Sequence, residues 1–294
     1  VKMSRSGLAA TSGRWAWLVV AVMVLCGCNQ ERNESIRLMN KGLMLVKQDR
    51  FAPAIDLLQQ ATLKDPSNDR AFYYVALIQY QKLGEFEKAL PSMRQAIKLN
   101  PNDYEYKYHL GYLYIGLEKW LEAVDAFEQA IKLKPDHAES HVRMGMALER
   151  LEKFDRAQEA WRSAIKLAPR SPEGYNLLGN LYRRFDQYSH AVQVLKNGVE
   201  NNPTFWRNYH DLGVTYQALK RFDDAVLQFK KALDLRPAEI GLFFNLGMTY
   251  RSLGDGTKAL SHLKTYMSRK TAAADPIQVR MAETVITRLE SGEL

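Results

Sequence analysis

The chain has 294 residues, of which 46% are hydrophobic and 25% are charged, which is ample apolar content for a continuous core. The formal net charge is +8, but Lys2, Arg5 and Arg14 lie in an N-terminal segment without acidic residues, and the remaining charges of both signs are interspersed. This mild and dispersed excess argues against a nucleic-acid-binding protein, which would favour a concentrated basic stripe.

In the first 27 residues, basic residues are followed by an apolar run and then by small residues, which is the order found in a secretory signal. The apolar run at 15–27 has 13 residues and is shorter than the roughly 20 residues that span a bilayer. The stretch from Leu25 to Cys28 resembles a bacterial lipobox, which implies cleavage before Cys28 and a covalent lipid on that cysteine. An uncleaved N-terminal anchor is the alternative.

Cleavage there would remove Cys26 and leave a chain whose single cysteine, Cys28, carries the lipid. The residue after it is Asn29 rather than aspartate, and the lipobox resemblance then implies the outer membrane, facing the periplasm. Residues 28–34 are predicted to be the lipidated cysteine and a polar tether, in which the six residues 29–34 could extend over about 20 Å.

Proline returns at a nearly fixed interval along most of the chain. The first interval is 35 residues and the next four are 34, so one supersecondary unit is repeated. The prolines are Pro66, Pro101, Pro135, Pro169, Pro203 and Pro237. The pattern within a unit predicts two antiparallel helices joined by a short turn. Proline ends the second helix because it cannot continue one and disfavours helical backbone in the residue before it.

Small residues repeat in phase with the proline. They stand twelve and five positions before it, on one helical face where a second helix can approach closely. They are Ala54, Ala89, Ala123, Ala157, Ala191 and Ala225, then Ala61, Ala96, Ala130, Ala164, Gly198 and Ala232. A third series holds Gly42, Leu77, Gly111, Gly145, Gly179, Gly213 and Gly247. Large residues three positions after this series are expected to fill the space that the glycines open.

These small, aromatic and proline positions resemble the tetratricopeptide repeat. The best copy, at 206–239, carries Tyr209, Leu212, Gly213, Tyr216, Phe222, Ala225, Phe229, Ala232 and Pro237. The resemblance implies an all-α fold, a right-handed superhelical solenoid of seven helix-turn-helix repeats over 35–273. The repeats are 35–68, 69–103, 104–137, 138–171, 172–205, 206–239 and 240–273. Leu77, Tyr266 and Thr271 depart from the pattern, and we expect looser packing around them.

A last helix is predicted within 274–294, with Asp275 as its cap and Pro276 in its first turn. One face is apolar and the other is polar. The apolar face holds Ile277, Met281, Val285 and Leu289, and the polar face holds Arg280, Glu283, Thr287 and Arg288. We interpret this helix as a cap that hides the last exposed core surface of the solenoid. A partner-binding helix is the alternative.

The resemblance also implies a ligand-binding groove, since first helices line the concave surface in this family. Its early part is predicted to be apolar and aromatic, and its later part polar and cationic. The early residues are Tyr74, Ile78, Tyr108, Tyr112 and Met146. The later residues are Arg150, Asn176, Asn180, Arg183, Arg184, Arg207, His210, Gln217 and Arg251. This contrast would suit a peptide with an apolar anchor and an acidic flank. The alternative is that some of these side chains only fill space between helices.

Other site classes are not supported by the sequence. His137 and His141 have a spacing that can bind metal, but no third ligand is evident, so they are interpreted as surface histidines. Asn176 and Asn180 resemble part of the carboxylate clamp of this family. However, Asp211 stands where the clamp requires asparagine, and lysine is missing from the clamp positions. The sequence therefore predicts no enzyme, no metal or other cofactor, and no small-molecule substrate.

The predicted function is a non-catalytic protein–protein interaction scaffold, lipid-anchored in the bacterial cell envelope, which binds a partner segment in its groove. The architecture is similar to that of the pilotin lipoproteins, which bring type IV pilus secretins to the outer membrane. Adaptors of peptidoglycan hydrolases and accessory proteins of polysaccharide export share this build and stay open as alternatives. A substrate-binding arm of an enzyme complex is the remaining alternative.

Overall fold

A computed structural model describes residues 29–271 and 274–293. Within these ranges the chain is all-α, as predicted, and contains helices but no strands. In chain order the helices are α1 (29–46), α2 (Phe51–Lys64), α3 (Asp69–Gln81), α4 (Phe86–Leu99), α5 (Tyr104–Gly116), α6 (Trp120–Leu133), α7 (Ala138–Arg150), α8 (Phe154–Leu167), α9 (Glu173–Arg184), α10 (Tyr188–Asn201), α11 (Trp206–Ala218), α12 (Phe222–Leu235), α13 (Ile240–Ser252), α14 (Gly256–Arg269) and α15 (Pro276–Ser291). The predicted signal segment and Cys28 lie outside the described residues.

Two observations concern membrane attachment. Residues 29–34, expected to form a tether, are helical and belong to α1. Six helical residues span about 9 Å, less than half of their extended length. None of the helices in the described ranges combines the length and the apolar character needed to cross a bilayer.

The repeated prolines end the second helix of their repeats in the predicted way. Asp65 has φ −135° and ψ 94°, and Asn202 has φ −138° and ψ 82°. Both residues precede a proline and are too extended to continue the helix. The next repeat then begins within a few residues. First helices start at Asp69, Tyr104, Ala138, Glu173, Trp206 and Ile240, each within one residue of a repeat boundary in the sequence.

The chain divides into two compact units after Pro135. In the first unit, α2 to α6 pack in sequence, each on the next, and side chains of α1 join the core around α2. In the second unit, α7 to α14 pack in the same way and α15 packs on α14. Each unit is therefore a stack of helix pairs whose core is built between neighbours in the chain.

Glycines of the first helices accommodate large residues of the second helices. Gly111 lies against Phe127, and Gly145 lies against Trp161, and both aromatic side chains are fully buried. A Cβ on Gly111 would lie 2.7 Å from Phe127 Cε1. The expectation that the residue three positions after the glycine fills this space is wrong. That residue is on the same helix as the glycine, so it lies beside the gap rather than across it.

The packing around Tyr266 in the seventh repeat is tight, although looser packing was expected there. This side chain is 1% exposed and lies against Phe244, with ring centroids 5.4 Å apart. Ala282 and Val285 of α15 belong to the same buried cluster. The large ring replaces the usual small residue because α15 covers it.

Only part of the predicted apolar face of α15 is buried. Asp275 caps the helix by accepting a hydrogen bond from the Ile277 amide at 2.9 Å. Val285 and Leu289 pack inward, but Ile277 is 69% exposed and Met281 is 43% exposed. The prediction that α15 hides one continuous apolar face is therefore wrong for its first two turns.

Candidate functional site

The first unit contains an aromatic pocket of about 360 Å³ formed by α3, α4 and α5. Its lining residues are Tyr80, Gln81, Phe86, Tyr108, His109 and Tyr112. The structure thus brings together two of the predicted groove residues, Tyr108 and Tyr112. Both are half-buried.

Hydrogen bonds fix the wall of this aromatic pocket. The Tyr80 hydroxyl lies 2.5 Å from His109 Nδ1, and Gln81 Nε2 donates to the same hydroxyl at 2.8 Å. Burial raises the pKa of Tyr80, so its phenol stays neutral and can donate to His109. The imidazole also contacts Tyr73 and Tyr108, with ring centroids 5.5 Å and 5.0 Å away.

His109 is a pocket residue that sequence reasoning missed. It stands next to Tyr108, which was predicted, but it does not occupy one of the ligand-binding positions of the repeat. The available signal was chemical: an imidazole among the clustered tyrosines of α5 can hydrogen-bond to a phenol. Position within the repeat alone could not identify it.

The other early groove predictions have different outcomes. Tyr74 is half-buried and lies 5.4 Å from the ring of Tyr73. Ile78 is 3% exposed and packs in the core with Leu58 and Val75. The assignment of Ile78 to a partner-binding surface is therefore wrong, because its side chain fills the space between helices. Met146, in the second unit, is half-buried.

A ladder of polar side chains connects α9, α11 and α13 in the second unit. Asn176 donates a hydrogen bond to Asp211. His210 Nδ1 lies 2.9 Å from the other carboxylate oxygen of Asp211, and Asn245 Nδ2 lies 3.0 Å from His210 Nε2. Gln217 donates to the hydroxyl of Thr249 at 2.6 Å. Successive first helices are thus held together by side-chain hydrogen bonds.

Asp211 is the central member of this polar ladder and is 6% exposed. A neutral His210 satisfies both neighbours if Nδ1 carries the hydrogen, because it then donates to Asp211 while Nε2 accepts from Asn245. A buried carboxylate requires such donors, since an unpaired buried charge is costly. Asn176, His210 and Gln217, predicted to contact a ligand, therefore position the first helices.

Asp211 and Asn245 carry this structural role together with Asn176. These three residues are separated by 35 and 34 residues in the sequence. A polar side chain that recurs at the repeat period was the signal that could have identified the ladder.

The predicted cationic residues lie at several places in the second unit. Arg183 donates to Asn180 at 2.9 Å. Arg184 lies 3.7 Å from a carboxylate oxygen of Glu149 and 5.0 Å from the ring centre of Phe154. Arg207 is exposed and lies beside the indole of Trp206. Arg150 is exposed at the end of α7, and Arg251 is half-buried on α13.

His137 and His141 have the spacing of a possible metal site. In the structure, His137 Nδ1 lies 2.8 Å from the Ser140 hydroxyl. Over the described ranges, no three histidine, cysteine, aspartate or glutamate side chains are grouped so that they could hold a metal ion.

One tetratricopeptide repeat profile matches residues 80–138 and 142–204, and a second profile of the same repeat matches residues 207–239. No curated protein matches the sequence.

Several solved structures share the fold. A tetratricopeptide repeat protein from Parabacteroides merdae is 15% identical, with a TM-score of 0.61 over 88% of this chain and 99% of that chain. Yeast Tom70 is 17% identical, with a TM-score of 0.55 over 90% of this chain and 55% of its own. YrrB, described as a TPR protein with an unusual peptide-binding site, is 20% identical, with a TM-score of 0.52 over 65% of this chain and 97% of its own.

These likenesses show the fold, and the sequence profiles show the family. Together the profile matches cover more than half of the chain. The chain therefore belongs to the tetratricopeptide repeat family.

Proposed function

We propose that this protein is a non-catalytic scaffold that binds a segment of a partner protein on the surface of its first helices. The observation that carries the proposal is the aromatic pocket of the first unit. Its volume of about 360 Å³ lies in the range of small-ligand and side-chain pockets.

The chemistry of this pocket suits an apolar side chain of a peptide. Half-buried tyrosines offer a large contact area at a low cost in conformational entropy. The hydrogen bonds among Tyr80, Gln81 and His109 hold the wall in place, which lowers the cost of ordering on binding. YrrB, which shares the fold, is described as having a peptide-binding site.

The test is the double substitution Tyr108→Ala with Tyr112→Ala. We expect it to reduce capture of partner proteins from crosslinked envelopes while helicity, measured by circular dichroism, stays unchanged. A matched control is Leu121→Ala with Leu133→Ala, which truncates two side chains of α6 that are 61% and 40% exposed. Equal capture by the tyrosine variant and the wild type would refute a binding role for the pocket.

We also propose that the protein is lipid-anchored through Cys28 in the bacterial envelope, at the outer membrane facing the periplasm. The support is the sequence before Cys28, which resembles a lipobox. Metabolic labelling with palmitate should mark the wild type and leave Cys28→Ser unlabelled. Equal labelling of the two proteins would refute lipidation at this residue.

The partner defines the pathway. Architecture alone suggests assembly of a type IV pilus secretin, with peptidoglycan hydrolases and polysaccharide-export proteins as the alternatives. Mass spectrometry of the crosslinked partners distinguishes them. Recovery of a secretin subunit that depends on Cys28 would support the pilus pathway, and recovery of hydrolases or export proteins in its place would exclude it.

A further inference from the structure

A second pocket lies between α13 and α15 in the second unit and has a volume of about 320 Å³. Its apolar lining includes Met248 of α13 and Ile277 and Met281 of α15. Ile277 and Met281 are the two residues that were expected to be covered by the cap packing and are 69% and 43% exposed. The cap helix thus covers the core with one face and presents part of an apolar face to solvent.

The charged side chains that line the α13–α15 pocket are all positive. Arg251, Arg280 and Arg288 line it, and no acidic side chain does. Within 29–271 and 274–293, no ion pair to any of these three arginines is observed. Glu290 of α15, by contrast, pairs with Lys264 of α14 at 2.7 Å, on the other side of the helix.

We propose that the α13–α15 pocket binds a partner segment in which apolar side chains alternate with carboxylates. The apolar side chains would contact Ile277 and Met281, and the carboxylates would accept forked hydrogen bonds from Arg280, Arg288 and Arg251. This inference rests on the proposed scaffold function, and it adds a second contact surface and the chemistry of its ligand.

Charge complementarity distinguishes between the ligands that could occupy the α13–α15 pocket. The apolar segment at 15–27 of this chain is preceded by Lys2, Arg5 and Arg14, which three pocket arginines would repel. An acidic peptide has no such penalty and gains two or more charge-assisted hydrogen bonds. Anionic lipid would also match the charge, and it is distinguished in the experiment.

The experiment measures binding of fluorescein-labelled peptides to the chain by fluorescence anisotropy. The probe alternates aspartate with leucine, a second peptide has lysine for aspartate, and a third has serine for leucine. We expect the first peptide to bind most tightly, and Arg280→Ala with Arg288→Ala to weaken it by about tenfold. Lys196→Ala with Arg236→Ala, which removes two exposed cations of the second unit outside the pocket, should change the affinity less than twofold.

Three results would overturn this inference. The first is unchanged affinity in the pocket variant, and the second is equal loss in the control variant. The third is arginine-dependent binding to phosphatidylglycerol vesicles without binding of the acidic peptide, which would indicate a lipid site. Each of them leaves the aromatic pocket untouched, so continued partner capture that depends on Tyr108 and Tyr112 would preserve the proposed function.

Discussion

Substitution of Gly145 by alanine tests the packing of the helix pairs. Gly145 lies in α7 beneath the indole of Trp161, which is fully buried and donates its N–H to the Val142 carbonyl at 3.2 Å. An added Cβ would lie 2.7 Å from Trp161 Cδ1 and closer still to Nε1. Burial and the hydrogen bond both hold the ring in place, so neither partner can move away cheaply.

The magnitude follows from two opposing effects. Overpacking of a rigid core site costs up to about 3 kcal/mol. Alanine in place of glycine within a helix contributes about 1 kcal/mol in the opposite direction. We therefore expect Gly145→Ala to lower the free energy of unfolding by about 2 kcal/mol.

The assay is urea unfolding of the chain, followed by circular dichroism. Gly241→Ala is the matched control, since this glycine is also helical but its nearest neighbour to an added Cβ is Glu239 Oε1 at 3.7 Å. The control should be more stable than the wild type by up to about 1 kcal/mol. A Gly145→Ala variant that is as stable as the wild type would refute the packing argument, because the opposite signs of the two changes are its direct consequence.

Three further predictions concern the turns, the polar ladder and pH. The turns between the helices of a pair contain residues of positive φ, including Gly84 at 69° and Lys220 at 58°. Gly84→Ala should therefore destabilise and Lys220→Gly should stabilise the chain, each by about 1 kcal/mol in urea unfolding, and the same sign for both would contradict this explanation. Asp211→Ala should cost roughly 2 kcal/mol, because it leaves the partly buried donors of Asn176 and His210 without an acceptor; a neutral effect on the urea midpoint would refute the ladder's structural role. Burial lowers the pKa of His262 below its ordinary value of 6.5, so the unfolded chain takes up a proton at this residue at a higher pH than the folded chain does. The contribution of His262 to the free energy of unfolding is complete above about pH 6.5 and is lost as the pH falls below that value. His262→Phe, which keeps an aromatic ring beside Tyr250, should therefore make the urea midpoint less dependent on pH between about 7.5 and 5. An unchanged pH dependence would contradict this assignment.

The repeat architecture could be predicted from the sequence because its determinants are local. A proline restricts the residue before it, so the extended backbone of Asp65 and Asn202 follows from chemistry within two residues. A glycine in the first helix permits close approach whichever large residue it meets. The identity of that residue, such as Phe127 opposite Gly111, depends on how the two helices pair and was assigned wrongly.

The candidate site could be predicted only in part, because periodicity gives the face of a helix and not its exposure. Tyr108 and Tyr112 line a pocket, but Ile78 occupies an equivalent face and is buried by α2. His210 and Asn176 engage Asp211 of the polar ladder. Whether two polar side chains form a hydrogen bond depends on the distance between their helices. The periodicity of a single sequence does not give that distance.

The most direct test of the central claim is site-specific photocrosslinking in native cells. A benzoylphenylalanine at Tyr112 would lie in the aromatic pocket, and one at Leu121, which is 61% exposed on α6, would lie outside it. We predict that a distinct partner protein crosslinks at Tyr112 and not at Leu121. Crosslinks at Leu121 alone would contradict the account, since the partner would then bind a different face of the first unit.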